Sequence, residues 1–363
     1  MTSLRFALKS ATALAAFSLS FPLASWAEEP LPVVATFSIL GDMVERIGGE
    51  HIALTTLVGP DGDTHVYQPT PKAARSVAEA DVLFLNGLEF EGWLERLAES
   101  ASFDGAMVVA TKGVVPIAFD DHDDHDDHDD HDDHDDHDDH DKHDDHDDHD
   151  DHDDHDKHDD HDDHDDHDEH DKHDDHDNHD DHAGHDHGAF DPHAWHSLEN
   201  AVIYANNIAA GLAQADPENA GDYYANRATF ISEIETLSAD IDAMMKNLPS
   251  DKRTVVTAHD AFGYFGATYD LTFVAPQGMS TESEASAGDV AALITQIREE
   301  SISAVFIESL TDNRMIEQIA NETGATIGGM LYAGALSAQS GPASNYLDMM
   351  RHNATTLFEA LGN

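Results

Sequence analysis

The sequence predicts an α/β protein of two lobes, each a mainly parallel sheet flanked by helices, joined by one long helix and carrying a disordered His/Asp-rich insertion. Three observations support this. Short apolar runs alternate with amphipathic stretches on both sides of residue 216, the pattern of parallel sheets with helices on their faces. Between 216 and 248 runs a single helical pattern of about 30 residues, or about 45 Å, long enough to cross a bilobed molecule. Residues 120–187 hold 39 of the 76 acidic groups and 23 of the 29 histidines of the 363-residue chain, so they stand apart from its ordinary composition.

The N-terminus carries Arg5 and Lys9, an apolar run Ala11–Leu23 and the small-x-small pattern Ser25-Trp26-Ala27, followed by Glu28-Glu29. This reads as a cleavable secretory signal peptide. The run is about thirteen residues, against about 20 for a spanning helix. A soluble exported protein beginning near Glu28 is expected.

After the signal, Val33–Thr36 reads as a strand, Ile39–Ile47 as a helix closed by Gly48-Gly49, and Ile52–Val58 as a strand. A helix starts at Thr70-Pro71 with proline at its first position. Asp81–Leu85 and Met107–Ala110 are strands around a Trp93-containing helix. Past the insertion, Ser197 caps a helix to about Gln214, and the long helix follows from Asp216-Pro217 to Leu248. Strands at Thr254–Thr257, Thr272–Ala275, Ser303–Ile307 and Ala325–Leu331 then alternate with helices at Ala261–Tyr269, Ala287–Glu300, Asn313–Thr323 and Asn345–Leu361. The expected boundaries are a signal peptide 1–27, an N-terminal lobe 28–119 and 183–215, the tract 120–182, a linking helix 216–248 and a C-terminal lobe 249–363.

The tract repeats Asp-Asp-His and has no apolar residue until Ala183. It cannot bury surface to offset the entropy of ordering, so disorder is expected. Each repeat offers one imidazole beside two carboxylates. His122, His125, His128, His131, His134, His137, His140, His143, His146, His149 and His152 are thus expected to form an accessory, weak and multiple metal-loading site. A net charge of −59 excludes a nucleic-acid partner. With no cysteine in the sequence, disulfides, thiolate zinc sites and a lipid-modified cysteine are not expected, and any metal must be held by nitrogen and oxygen.

Six histidines lie outside the tract. His65, His193 and His259 fall in loops where open parallel sheets keep their ligands, His65 and His259 after strands and His193 before the Ser197 helix. Imidazole nitrogen suits zinc and other late first-row ions, and donors from both lobes would put an ion in the cleft between them. His196 reads as a surface residue of a capping turn, and His51 and His352 as surface residues. Asp191, Asp260 and Glu308 are candidates to receive the second N–H of a ligating imidazole.

Gly62–Pro71, Asp191–Trp195, Thr257–Phe265, Ser280-Thr281-Glu282-Ser283-Glu284 and Gly341-Pro342-Ala343-Ser344 together resemble the zinc- and manganese-specific substrate-binding proteins of bacterial ABC importers. The likeness covers the mature chain except the tract, and the family often carries a His/acidic insertion at this place. The resemblance implies a periplasmic monomer, not an enzyme, that holds one ion between two lobes and delivers it to an ABC importer permease in the inner membrane. Carried over motif by motif, the metal ligands are His65, His193 and His259. Manganese-preferring members usually have a carboxylate at the third position, so Zn2+ is expected and Mn2+ less so. Where many relatives have an aspartate ligand after the last strand, this chain reads Tyr332-Ala333-Gly334. The fourth position then falls to water, to Glu308 or Asp63, or to a tract histidine. The competing reading is a periplasmic zinc buffer or chaperone acting mainly through the tract. A zinc hydrolase lacks its usual motifs here, with no His-Glu-x-x-His helix and no nucleophile elbow.

Overall fold

The computed structural model describes residues 29–118, 189–282 and 284–362. The expected signal peptide and the tract, with its accessory histidines His122 to His152, lie outside these residues. The first lobe is built from β1 (Leu31–Phe37), α1 (Ser38–Gly48), β2 (Ile52–Val58), α2 (Pro71–Ala78), β3 (Val82–Leu85), α3 (Leu94–Ala101), β4 (Ala106–Val109) and α4 (Leu198–Ala215). After α5 (Ala220–Met245), the second lobe follows as β5 (Thr254–Val256), α6 (Gly263–Tyr269), β6 (Thr272–Val274), α7 (Ala287–Glu299), β7 (Ala304–Glu308), α8 (Asn313–Thr323), β8 (Thr326–Leu331) and α9 (Tyr346–Leu361).

The sheets run β2-β1-β3-β4 and β6-β5-β7-β8, with every pairing parallel. In each, the chain leaves the first strand to one side and returns on the other. A crevice therefore opens at the carboxyl ends of β1 and β3, and another at those of β5 and β7, where such sheets hold ligands. Local chemistry sets the helix starts that frame these crevices. Thr70 Oγ1 accepts from Ala73 N at 3.2 Å, Ser197 Oγ from Asn200 N at 3.3 Å, and Ser286 with Asp289 forms a reciprocal capping box.

The linking helix is shorter than the sequence pattern suggested. It has 26 residues, about 39 Å, because Asp216 stops the chain first. The Asp216 carboxylate accepts from Asn219 Nδ2 at 2.8 Å and from Tyr223 Oη at 2.7 Å, which ties residues 216–219 into a turn of their own. At the other end, Lys246 caps the helix before Leu248. One stripe of α5, made by Tyr223, Phe230, Ile234, Leu237, Ile241 and Met245, is buried, and the helix packs on α1, α4 and α9. Both lobes thus share it. Trp93 sits at the cap of α3, one residue ahead of the helix expected to contain it.

A single apolar core runs through both lobes, from Phe37 and Trp195 to Phe262 and Tyr346. A smaller cluster packs α7 and α8 on β5 and β7 through Ile297, Ile316, Val256 and Val305. Polar ties also join the lobes. Asp61 N donates to Leu336 O at 2.9 Å, Leu336 N to Ser38 Oγ at 3.0 Å, and Tyr346 N to Asp42 Oδ2 at 3.0 Å. Among the described residues, no helix is long and apolar enough to cross a membrane.

Candidate metal centre

His65 lies in the loop between β2 and α2, His193 ahead of the single 3-10 turn Ala194–His196 that leads into α4, and His259 just past β5. The fold brings these three together. One ring nitrogen from each lies within 4.8 Å of the others, and His65 Nε2 stands 3.3 Å from His193 Nε2. His193 and His259 are buried, while His65 keeps some exposure. Among the described residues this is the one cluster of histidine and acidic side chains with the spacing to hold a metal ion.

A carboxylate aims each of the two buried rings. Asp191 Oδ1 accepts from His193 N and faces His193 Nδ1, both at 2.8 Å. Glu308, at the end of β7, accepts through Oε1 from the backbone N–H groups of Ala258 and His259, at 2.8 and 2.9 Å. Its Oε2 stands 2.5 Å from His259 Nδ1. With Nδ1 so occupied, Nε2 is the nitrogen that each ring offers to the cleft, the arrangement that fixes tautomer and direction in imidazole metal sites. Asp63 makes a different contribution. Its Oδ1 accepts from His65 N at 2.9 Å and its Oδ2 from Thr281 Oγ1 at 2.6 Å, so both oxygens are engaged in shaping the loop. Asp260 is partly buried, and its backbone N–H is spent on Gln277 O at 3.1 Å.

The electrostatics divide the three rings. Burial, reinforced by the neighbouring histidines His193 and His259, lowers His65 to about 3. Burial, with His259 beside it, also holds His193 well below the usual histidine value. Burial alone would lower His259 too, but the Glu308 carboxylate and its hydrogen bond outweigh it, and this pKa is raised. Two rings of the centre are therefore held toward the neutral form, while Glu308 shifts the third toward the protonated one. Burial pushes Asp191 up to about 7 and, with repulsion from Asp191, Asp260 up to about 6.

Support from behind comes from residues that the sequence reading passed over. Phe90 lies edge-on to His65 at 4.9 Å and to Trp195 at 4.8 Å, forming an apolar floor. It is carried by a run of left-handed residues, Gly87, Leu88 and Glu89, at φ of 88°, 53° and 62°. A side chain at Gly87 would meet Val109 Cγ1 at 2.7 Å. The run costs roughly 1–2 kcal/mol for each residue other than glycine. The buried Glu91 offsets this by accepting from Thr36 Oγ1, Asn86 N and Gly87 N at 2.6, 2.7 and 3.2 Å. Burial raises Glu91 to about 7 against the pull of these donors. Asn86 Nδ2 then donates to Pro192 O at 2.9 Å, which steadies the segment just before His193, and Trp93 Nε1 donates to Thr64 O at 2.9 Å, which does the same for His65.

The remaining histidines divide. His51 pairs with Asp222 at 2.9 Å and His352 with Met330 O at 3.0 Å, both near the surface. His196 departs from the expected surface turn, because it is fully buried. Its Nε2 meets Ala333 O at 2.9 Å and its ring lies 4.6 Å from Phe262, so the second lobe covers it. Burial lowers it to about 3. Trp195 Nε1 donates to the same Ala333 O at 2.9 Å, and Tyr346 Oη returns to Trp195 O at 2.7 Å. Gly334, next in the chain, has no side-chain donor, although a Cβ there would meet only Leu310 Cδ1 at 3.5 Å.

Comparison with known proteins agrees with this architecture. The family model described as zinc-uptake complex component A, periplasmic, matches residues 33–360. The manganese-binding lipoprotein MntA of Halalkalibacterium halodurans is 26% identical over 334 residues, covering 92% of this chain and 89% of that protein. The iron-binding protein YfeA of Yersinia pestis is 26% identical over 330 residues, covering 91% and 86%. Among solved structures, the Mn-bound periplasmic metal-binding protein of Candidatus Liberibacter asiaticus superposes with a TM-score of 0.67 at 25% identity, covering 92% of this chain and 100% of that one. The periplasmic zinc-binding protein TroA of Treponema pallidum shares the fold, with a TM-score of 0.70 at 22% identity and coverage of 92% and 99%.

Two outcomes follow from this geometry. A Cβ on Gly263 would lie 2.6 Å from Asp191 Oδ2 and push that carboxylate off its ring. Gly263→Ala is expected to weaken the tightest zinc equivalent by about 10- to 100-fold in a competitive titration, the range for disturbing a carboxylate behind a ligating imidazole. Metal binding near pH 6.5 should release protons from His259, whose pKa is raised, and from Asp191, pushed up to about 7, but none from His65 or His193, whose pKa values are lowered. Calorimetry of the first equivalent in buffers of different ionisation enthalpy counts these protons, and no net release would contradict the assignment.

Proposed function

Because the chain belongs to the family of periplasmic zinc-uptake complex component A, substrate-binding proteins of metal ABC transporters and not enzymes, we propose that it captures Zn2+ in the cleft and delivers it to an importer permease. His65, His193 and His259 are the ligands in this reading, and the protein works as a monomer exported by its signal peptide. The observation that carries the zinc preference is the donor set itself: three imidazole nitrogens converge, and the surrounding carboxylates are turned to other partners. Imidazole suits zinc, whereas manganese is better served by carboxylate and water oxygen. Relatives named for manganese and for iron leave this choice to the residues of the individual chain. With Asp63 and Glu308 engaged and Gly334 bare, the fourth position falls to water. An exchangeable fourth ligand suits a carrier that must give its ion up.

The Asp-Asp-His tract serves as an auxiliary scavenger. Its flanks are held together beside the centre, where Ala118 and Phe190 form an antiparallel bridge and Asp191 N donates to Ile117 O at 2.9 Å. Phe190 is three residues from His193, so ions held by the tract are tethered near the cleft and raised in local concentration there.

Competitive titration of mature protein lacking residues 120–187 tests both parts. One tight zinc equivalent is expected, with manganese binding more weakly. Changing His65, His193 and His259 to alanine should abolish it. Loss of the tight equivalent on removing the tract alone would move the function into the repeats, and equal affinity for manganese would reject the zinc preference.

A further inference from the structure

The motif Ser280-Thr281-Glu282-Ser283-Glu284 stands out in the sequence, yet none of its residues is among the three histidines of the centre. The chain leading into it runs from one of those histidines toward another. At its start, Gln277 forms a parallel bridge with His259, and Asp260 N donates to Gln277 O at 3.1 Å. Met279 follows, buried at 5% exposure. At its end, Thr281 Oγ1 donates across the cleft to Asp63 Oδ2 at 2.6 Å, while Asp63 Oδ1 holds the backbone N–H of His65 at 2.9 Å. One carboxylate thus connects a C-terminal strap, anchored beside the third histidine, to the loop that presents the first.

We propose that Thr281 is a positioning residue of the centre, which by bonding Asp63 across the cleft holds the His65 loop closed over the bound ion and sets how fast the ion leaves. The inference rests on the zinc-binding reading above. Three features favour Thr281 as the point of control. His65 is the ligand candidate that keeps some exposure, so an ion leaves most readily past its loop. The other ties of that loop each involve a main-chain atom, with Asp61 N on Leu336 O at 2.9 Å, Ala338 N on Asp61 Oδ2 at 3.2 Å and Trp93 Nε1 on Thr64 O at 2.9 Å. The Thr281–Asp63 contact is a bond between two side chains, both partly exposed, and it opens without breaking a strand or a helix. A hydroxyl donating to a carboxylate is among the stronger single hydrogen bonds, so its loss should register in a rate.

The test uses the full mature chain loaded with half an equivalent of Zn2+, with release to an excess chelator followed by stopped-flow tryptophan fluorescence. Trp195 reports the centre because its ring lies 5.2 Å from that of His193, and the Asp-Asp-His tract contains no tryptophan. Thr281→Val keeps the side-chain volume and removes the hydroxyl. It is expected to speed release about tenfold, as loss of one charge-assisted hydrogen bond would, with association unchanged within about twofold. Thr281→Ser, which keeps the hydroxyl, should return release to the wild-type rate. Unchanged release in Thr281→Val, or release from Thr281→Ser as fast as from Thr281→Val, would overturn the assignment while leaving the zinc site in place. Absence of any tight equivalent in the wild-type chain would overturn both.

Discussion

Everything at the centre depends on two carboxylate–imidazole pairs, Asp191 with His193 and Glu308 with His259. A buried imidazole has two nitrogens and no inherent preference for which one faces a cavity. In each pair the carboxylate settles the matter by taking Nδ1 and the backbone of the same segment together. Direction and position are therefore fixed by one group. Because Glu308 stands at the end of β7 and His259 follows β5, the pair spans the crevice of the second sheet, and the strand order of that lobe becomes a condition of the site. The first lobe answers with Thr36 and Glu91 at its own crevice, where the carboxylate organises backbone and leaves the rings to Phe90.

How far this was legible in the sequence follows from the range of each interaction. Strands, helices and caps are set by near neighbours, and Thr70, Ser197 and Ser286 announce their helices within three residues. The three histidines were legible because loops beyond parallel strands are where such sheets keep ligands, and because the spaced motifs around them resemble one family. His196 was misread because its burial is conferred by Ala333 and Phe262, distant in the chain. Glu91 was missed for a similar reason: next to Gly92 and Trp93 it looks like a surface acid, and only the folding of β1 against β3 brings Thr36 to it. Asp63 reads from the sequence as one alternative for a fourth ligand or a supporting residue, and its bonds to the His65 backbone and to Thr281 across the cleft come from residues that sequence spacing does not pair. The end of the long helix misled by a few residues, since Asp216 caps a turn with side-chain bonds that periodicity does not register.

The centre also brings together two imidazoles held toward the neutral form and one, His259, that Glu308 shifts toward the protonated form. Removing rings from water favours their neutral forms, and neutral rings can approach as closely as His65 and His193 do. The raised carboxylates Asp191 and Asp260 limit the negative charge around them. A divalent ion entering this pocket meets nitrogen donors already aimed at it, and the cost of ordering them has been met in folding.

The central claim is that one ion sits among His65, His193 and His259, each bound through the nitrogen its neighbours leave free. The most direct measurement is anomalous diffraction at the zinc edge from crystals of the protein loaded with one equivalent of Zn2+. The account predicts a single peak in the cleft, about 2.0–2.1 Å from one nitrogen of each ring, with Asp191 and Glu308 still bonded to Nδ1 of theirs. A peak elsewhere on the body, or a zinc held by Asp63 or Glu308 in place of one of the histidines, would contradict it.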